Sequence, residues 1–300
     1  MCGVYKPQCV FAMVCLCAVS LARGGAAQGQ QACAVAPEIK IVKAPNIFSA
    51  EQERLLGEIE AAEVEKAYAT VRDDELEAHL NMVARRLAPA VTGVRQRVQV
   101  ELIDAPEANA FSAGPERIYV TRRLVALLKN DDELAAVLGH ELGHIEEHQN
   151  AVTVSRLFKE ILKATSVGDQ KDITGKFEEM MRTIDQNPKV LRKATSIIAW
   201  ENGVSEFAAD RFALYASSRA GFSPKAVVEV LARTAGTRGT TGNLLGDFGG
   251  SKNENDVRVK EANKILKKLP RPCQEIVGAD EGVFRSWQAA VDSYAEAGRR

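Results

Sequence analysis

The sequence predicts a mainly helical α+β domain with a small β-sheet. Helix-capping signals and apolar residues at helical spacing recur along most of the 300-residue chain, and two short segments with strand character interrupt them. No internal repeat is visible, so the pattern favours one domain rather than an array. Hydrophobic residues make up 46% of the chain, which is typical of a globular protein with a sizeable core.

The first two predicted helices begin at capping residues. Ser49 followed by Gln52 forms a capping-box pattern, which opens a helix running to about residue 68. The pair Asp73-Asp74 starts a second helix that ends near the proline at position 89. Both helices therefore precede the segments with strand character.

The two predicted strands lie between residues 97 and 121. From 97 to 103 the apolar residues Val98, Val100 and Leu102 alternate with polar ones, which indicates a half-buried strand. A second short strand, at 118–120, follows a glycine–proline turn at 114–115. Two short strands are enough only for a small sheet.

Helices are predicted for most of the remaining chain. One begins at Asp131-Asp132 and is expected to run through His148, and a long one covers about residues 189–218. Three further helices are predicted. One begins at Ser223-Pro224, the next ends at about residue 269, and the last begins at about residue 281. Six glycines between positions 236 and 250 predict a mobile loop. Breaks between helices are predicted at Gly168, Gly175 and Pro188.

The N-terminal segment is typical of a signal for export. Lys6 precedes a nearly uncharged apolar stretch, and Gly25-Ala26-Ala27 resembles a cleavage site, so residues 1–27 are predicted to be a signal peptide. Cleavage after residue 22 and retention as an anchor are the alternatives, although an uncharged run of 16 residues is short for a membrane span. The predicted division is an arm at 28–48, a peptidase domain at 49–270 and a helical extension at 271–300.

Cysteine usage agrees with export. Four of the six cysteines lie in the predicted signal peptide, which leaves Cys33 and Cys273 in the mature chain. In an oxidising compartment such a pair predicts one disulfide. Two unrelated thiols, or lipidation of Cys33, are the alternatives.

Composition excludes a nucleic-acid partner. The net charge is −1, so the chain has no basic excess to neutralise phosphates. Aromatic residues make up only 6% of the chain, too few for an extended base-stacking surface.

One motif predicts a metal centre. His140 and His144 are four residues apart on a predicted helix, so their imidazoles share one face and can bind the same Zn²⁺. Glu141 lies beside them, where it can take a proton from a metal-activated water and pass it to the leaving amine. Glu141 is the only formal charge between residues 135 and 145, and a carboxylate in an apolar helix needs such a partner.

Zinc needs a third protein ligand. No histidine follows His148, so this ligand is His79, His148 or a carboxylate. Glu206 is favoured because Asp210 follows it by four residues, with two alanines between that permit close helix packing. Asp210 could then orient a ligand imidazole from behind, and His148 is predicted to support the site in the same way. The weaker candidate ligands are Glu178, Glu179 and Glu201, and His79 is predicted to be a surface residue.

Together these motifs resemble a known family. The segments 140–144 and 206–210 look like the signature of gluzincin endopeptidases related to the CAAX prenyl protease, whose bacterial branch includes HtpX-like and BepA-like quality-control proteases. The resemblance covers about residues 49–269. It implies a zincin-type metalloprotease domain with one zinc ion per chain, bound by His140, His144 and Glu206. It also implies that Glu141 is the general base and that Asp210 supports the ligands.

The resemblance extends to the segment before the active-site helix. In the family, this segment forms an edge strand that pairs with extended substrate. Here its residues are Asn109, Ala110, Phe111, Ser112 and Ala113. Such pairing also has a physical reason, since main-chain hydrogen bonds hold a peptide with little regard to its sequence.

One departure from the family pattern concerns the residues that would stabilise the oxyanion formed from the scissile carbonyl. Members often carry a His-Pro pair and then an arginine after the third ligand, and residues 249–253 here contain no histidine. Arg258 remains as a predicted partner for transition-state charge, with a plain surface cation as the alternative.

The sequence therefore predicts an exported, periplasmic zinc endopeptidase that degrades unfolded or misassembled envelope proteins. The prediction includes a possible association with the membrane. Its partners would be extended polypeptides. A chaperone-like protein with little turnover and an enzyme restricted to short peptides are the alternatives.

Overall fold

The structure is a computed structural model, which describes residues 33–39, 44–90, 98–234, 252–278 and 281–297. The predicted signal peptide and the predicted loop at 236–250 lie outside these residues. Within them, helices dominate and the strands are short, so the predicted α+β class is confirmed. Among the described residues, no helix is both long enough and apolar enough to cross a bilayer.

The described residues form eleven α-helices and four strands. The helices are α1 (Ala50–Ala67), α2 (Asp74–Leu87), α3 (Arg122–Val125), α4 (Asp131–Glu146), α5 (Gln149–Leu157), α6 (Gln170–Gln186), α7 (Pro188–Ala220), α8 (Lys225–Thr234), α9 (Lys252–Lys268), α10 (Arg271–Gln274) and α11 (Glu281–Ala297). The strands are β1 (Ala69–Thr70), β2 (Gln99–Asp104), β3 (Ala110–Ala113) and β4 (Arg117–Thr121).

Capping side chains fix where the first helices begin. The Ser49 hydroxyl accepts the Gln52 N–H and the Gln52 side chain accepts the Ser49 N–H, so the predicted capping box opens α1. The Asp73 carboxylate accepts the N–H groups of Glu75 and Leu76 in the first turn of α2, so this helix also begins as predicted. Gly175 was predicted to break a helix, and this prediction is wrong. The residue lies inside α6, with open space around it.

The sheet places β3 at one edge. Its strand order is β1-β2-β4-β3, in which β2 and β4 are parallel and the two outer strands are antiparallel to their neighbours. The β3–β4 turn passes through Gly114 at φ 60°, a left-handed conformation that favours glycine. An added Cβ at Gly114 would lie 2.5 Å from the Cα of Gly57, so α1 contacts this turn backbone to backbone.

Helix packing places the core on both faces of the sheet. The main core lies between one sheet face and the helices α2, α4, α7, α8 and α11, and a smaller cluster packs α1 against the opposite face. A further core joins α1, α5, α6 and the first half of α7. The long helix α7 therefore takes part in two cores, and α4 crosses it near its middle.

The N-terminal arm is tied to the segment after α9. Cys33 and Cys273 form a disulfide, in agreement with the sequence prediction. His79, predicted to be a surface residue, is instead mostly buried: its ring stacks on Trp287 of α11 and bonds Asp131 at the start of α4. This prediction was wrong because the stacking partner comes from the distant C-terminal helix.

Candidate metal centre

Helix α4 presents two imidazoles to one point. Its first turn is capped by Asn130, one residue before the predicted Asp131-Asp132 pair, and the helix continues through His144. The Nε2 atoms of His140 and His144 lie 2.9 Å apart, and the rings meet edge to face. Both side chains are largely buried, so their lone pairs converge away from bulk water.

Helix α7 brings a carboxylate to the same point. The Glu206 oxygens lie 3.5 Å from His140 Nε2 and 3.4 Å from His144 Nε2. The two helices can approach this closely because Gly143 faces Ala209, whose Cα would be 2.9 Å from an added Cβ. The small alanine between the two acids therefore has the packing role that the sequence suggested.

These three donors fit a tetrahedral metal. One atom from each residue lies within 4.8 Å of the other two, and two nitrogens and one oxygen form a donor set that zinc prefers. Zinc bonds of about 2.0–2.1 Å require ligand atoms roughly 3.3 Å apart in a tetrahedron, close to the distances found here. Burial opposes protonation of His144, but the carboxylate of Glu206 raises the pKa of this imidazole to about 9.

Asp210 holds the first imidazole from behind. His140 Nδ1 lies 3.0 Å from an Asp210 oxygen, one helical turn beyond Glu206. A hydrogen on Nδ1 donated to this carboxylate leaves the Nε2 lone pair directed at the donor set. The structure thus brings Asp210 to the position that the sequence predicted.

Arg258 of α9 binds both acids of α7. Its Nε and Nη2 donate to the two Asp210 oxygens at 2.8 and 2.7 Å, and its Nη1 lies 2.6 Å from Glu206 Oε2. Only 2% of Arg258 is exposed, so its hydrogen bonds to Asp210 and its ion pair with Glu206 form in a region largely shielded from water. Although burial alone would raise them, the guanidinium holds the pKa values of Asp210 and Glu206 below their usual range.

Glu141 is a buried acid beside the donor set. It is 2% exposed, and burial raises the pKa of its carboxyl although the two imidazoles and Arg258 work in the opposite direction. A raised pKa suits a group that must accept a proton and give it back near neutral pH.

His148 does not continue the helical face of His140 and His144. Helix α4 ends at Glu146, and His148 adopts a left-handed conformation at φ 56° immediately before α5. Its Nδ1 lies 2.6 Å from Glu53 on α1. The prediction that the helix runs through His148 is therefore wrong. Among the described residues, no contact between His148 and a metal ligand supports the predicted role of this histidine.

The weaker candidate ligand Glu201 also lies elsewhere. It pairs with Arg156, whose guanidinium covers the ring of Trp200.

Strand β3 lies at the sheet edge next to α4. Asn109 O accepts the Thr121 N–H, so alternation along the antiparallel pair turns the backbone groups of Phe111 and Ala113 toward β4. Those of Ala110 and Ser112 therefore point away from the sheet. All four β3 residues are buried.

Two residues at the end of β3 were not singled out from the sequence. Asn150 donates to the outward carbonyl of Ser112 at 2.9 Å, and Glu60 accepts the Gly114 N–H at 2.9 Å. Burial raises the pKa of Glu60 to about 8. These residues are 90 positions apart in the sequence, and no local spacing signals that they meet.

Comparisons with known proteins show the family of this chain. The family model described as Peptidase family M48 matches residues 74–271. The chain is 24% identical to the β-barrel assembly-enhancing protease of Yersinia pestis over 189 residues, which cover 63% of this chain and 38% of that protein.

Two archaeal proteins named as protease HtpX homologs match shorter segments. The one from Thermoplasma volcanium is 37% identical over 68 residues, which is 22% of either chain. The one from Archaeoglobus fulgidus is 35% identical over 92 residues, which is 29% of this chain and 24% of that protein. The chain thus spans well under half the length of the relatives that it matches.

Proposed function

Because this chain belongs to peptidase family M48, we propose that it is an exported zinc endopeptidase that cleaves unfolded or misassembled proteins of the cell envelope. That it is a metallopeptidase follows from the family. The choice of zinc rests chiefly on one observation: His140, His144 and Glu206 bring two nitrogens and an oxygen within 4.8 Å of one another from two different helices.

The zinc ion, when bound by these three residues, supplies Lewis acidity toward the scissile carbonyl and lowers the pKa of a water molecule. Glu141 follows the first ligand directly and takes the proton from the attacking water. It then returns this proton to the nitrogen of the leaving amine. Its buried position keeps the proton from exchanging with bulk solvent during this transfer.

Asp210 and Arg258 position the ligands in this proposal. Asp210 fixes the tautomer and the orientation of the His140 ring. Arg258 neutralises Asp210 and Glu206 and holds both side chains in place. Because its contacts are to the ligand carboxylate and the acid behind it, the geometry favours this positioning role over the predicted contact with the oxyanion.

The substrate would bind as an extended strand along β3. Main-chain hydrogen bonds along such an edge recognise unfolded polypeptide with little dependence on its sequence. Because the β3 residues are buried, this pairing requires that the edge first be uncovered. This supports an unfolded protein, rather than a single defined peptide, as the substrate class.

The cell-envelope location rests on two observations. Residues 1–27 have the character of a signal peptide, and the Cys33–Cys273 disulfide suits an oxidising compartment. The Yersinia pestis relative is named as a protease that enhances β-barrel assembly. Mass spectrometry of the exported chain should find an N-terminus near residue 28.

The central test combines metal analysis with a cleavage assay. The purified chain should contain one zinc per molecule and cleave unfolded casein, and Glu141→Gln should retain zinc but lose activity by about 10²–10⁴-fold. The matched control is Glu179→Gln, an exposed acid on α6, which should leave activity nearly unchanged.

Two results would contradict the proposal. A zinc-loaded Glu141→Gln that cuts as fast as the parent excludes Glu141 as the base. A parent that suppresses aggregation of unfolded clients without cutting them, and keeps doing so as Glu141→Gln, favours the chaperone-like alternative suggested by the absence of histidine from residues 249–253.

A further inference from the structure

Helix α7 exposes two aromatic side chains beside the candidate metal centre. Trp200 is 55% exposed and Phe207 is 38% exposed. Their positions are two helical turns apart, so they lie on one face of α7, about 10 Å from each other along its axis. Single apolar residues are common on protein surfaces, whereas two aromatic rings aligned on one helix face form a patch of the kind that binds a partner.

A glycine separates the two aromatic positions. Gly203 is one turn from each of them, and among the described residues no atom lies within 4 Å of a Cβ added there. Trp200, Gly203 and Phe207 therefore form an open gap, which we call the aromatic notch. A side chain placed midway would be about 5 Å from each aromatic position, within the usual range of roughly 4.5–7 Å between packed rings. The aromatic notch thus fits one aromatic or branched aliphatic side chain.

Arg156 of α5 holds one wall of the aromatic notch. The central guanidinium carbon of Arg156 lies 4.2 Å from the centroid of the Trp200 ring, and the same arginine pairs with Glu201. These contacts restrict the rotation of the Trp200 side chain. Less conformational entropy is therefore lost when a ligand packs against this ring.

The aromatic notch adjoins the metal centre. Phe207 follows the candidate ligand Glu206 directly, and Gly203 is its neighbour on the helix surface, one turn earlier. The side chains of His140, His144 and Glu206 are 1%, 11% and 15% exposed, so Glu206 is the most accessible donor. Gly203 and Glu206 are about 4.5 Å apart along the helix axis, and an extended chain advances about 3.3 Å per residue. The aromatic notch is therefore within about two substrate residues of the metal.

We propose that the aromatic notch binds a large apolar side chain of the substrate polypeptide, at a position within two residues of the scissile bond. This inference rests on the proposed function and deepens it, because it makes Trp200 and Phe207 specificity-determining residues. Folded proteins bury most of their large apolar side chains and unfolded ones expose them. The aromatic notch would therefore favour unfolded chains over folded ones.

A set of fluorogenic peptides tests this preference. Each peptide carries one phenylalanine in an otherwise small and polar sequence, and the phenylalanine is moved along the sequence one position at a time. Mass spectrometry then locates the cut. The cut should move with the phenylalanine at a fixed distance of no more than two residues, and replacing the phenylalanine by serine should lower kcat/KM roughly tenfold.

Three variants alter the aromatic notch in two opposite ways. Trp200→Ala and Phe207→Ala remove a wall, and each should lower kcat/KM roughly tenfold for the phenylalanine peptide but not for the serine peptide. Gly203→Leu adds apolar surface and should have the same effect, because its side chain fills the gap. Leu191→Ala is the matched control, since it removes a 49% exposed side chain from α7 about 20 Å from Glu206 along the axis. All four variants should keep one zinc per chain.

A binding measurement is independent of turnover. In the Glu141→Gln variant, the phenylalanine peptide should move the fluorescence emission of Trp200 to shorter wavelength as this ring is covered. Trp287, the second tryptophan of the chain, is 8% exposed and contributes a constant background. Trp200→Phe in the same variant should abolish the shift.

The outcomes separate the two proposals. Cleavage that does not depend on the phenylalanine position, or an unchanged preference in the three variants, overturns the aromatic notch and leaves the peptidase proposal intact. A phenylalanine-dependent shift of Trp200 emission without cleavage by the parent supports the aromatic notch and contradicts the proposed peptidase activity. Emission that shifts with protein concentration in the absence of peptide would mean that a second copy of the chain covers Trp200, and it would overturn the assignment to substrate.

Discussion

Two regions of this molecule bury carboxylates, and these carboxylates differ in the charge that they carry. At the metal centre, Glu206 and Asp210 face the guanidinium of Arg258, which lowers their pKa values in spite of burial. At the end of β3, Glu60 accepts only from neutral donors, and burial raises its pKa to about 8. Burial thus does not decide the charge of an acid, but the presence of a buried cation does.

The difference matches the contacts that each region makes. A ligand carboxylate must be ionised to bind a divalent cation, so the centre includes its own arginine. An anchor for an amide and a backbone N–H needs shape and hydrogen-bonding capacity, and a protonated carboxyl supplies both. The predictions below test this contrast.

The largest effect is expected for Arg258→Met. Removing the guanidinium leaves two buried carboxylates without their cation, so the free energy of unfolding should fall by about 3–5 kcal/mol. Zinc affinity should also fall by about 10–100-fold because the ligands lose their support. Urea denaturation and chelator competition measure the two quantities.

Arg233→Met is the matched control for this change. Arg233 pairs with the buried Glu133 between α8 and α4, outside the donor set. Its loss should cost stability but leave zinc affinity unchanged. An Arg258→Met enzyme with normal zinc affinity and a reduced kcat would instead support the oxyanion role that the sequence suggested.

At the other region, Glu60→Gln should change how stability depends on pH. The pKa of Glu60 is about 8 in the folded chain against 4.5 when unfolded, so the unfolded chain releases this proton first. The parent therefore loses stability relative to the variant as the pH rises from 4.5 toward 8, by on the order of 3 kcal/mol. Urea titrations at pH 5 and pH 8 measure this difference, and parallel pH profiles for the two proteins would contradict it.

Two glycine substitutions should separate the regions by function. Gly143→Ala forces α4 away from α7, because the new Cβ would lie 2.9 Å from the Ala209 Cα, and about 1–3 kcal/mol of stability should be lost. Gly57→Ala creates an equally close contact with Gly114 and should cost a similar amount. Only Gly143→Ala should weaken zinc binding, which isothermal titration calorimetry can measure. Equal losses of zinc affinity would show that the two regions are coupled.

The smallest effect is expected for Gly175→Ala on α6. No atom lies within 4 Å of the added Cβ, and alanine favours the helix interior. The variant should gain about 0.5–1 kcal/mol, with zinc affinity unchanged. A loss of stability in a thermal melt would show that the cost at Gly143 is not specific to close helix packing.

Much of the molecule was predictable because its signals are local. The capping box at Ser49, the acidic cap at Asp73 and the helical spacing of His140 and His144 need only a few neighbouring residues to be recognised. The pairing of Glu206 with Asp210 was also a spacing argument, supported by the small residues between them. Each of these features survives in the structure.

The features that were missed depend on contacts between distant segments. Helix α4 ends before His148, and the ring of His148 pairs with Glu53, which lies 95 residues earlier in the sequence. His79 is held by Trp287 of the C-terminal helix, and Asn150 meets Glu60 only after α1 packs on the sheet. The residue pattern alone predicted two of the four strands in the described residues. The resemblance added the edge strand that corresponds to β3, and β1 was missed because it has only two residues.

The disulfide between Cys33 and Cys273 joins residues 240 positions apart, and the whole candidate metal centre lies within the resulting covalent ring. A single nick in any surface loop of this ring opens the chain without releasing a fragment. In a preparation where peptidase molecules encounter one another, self-inflicted cuts would therefore be hidden on a non-reducing gel and become visible only after reduction.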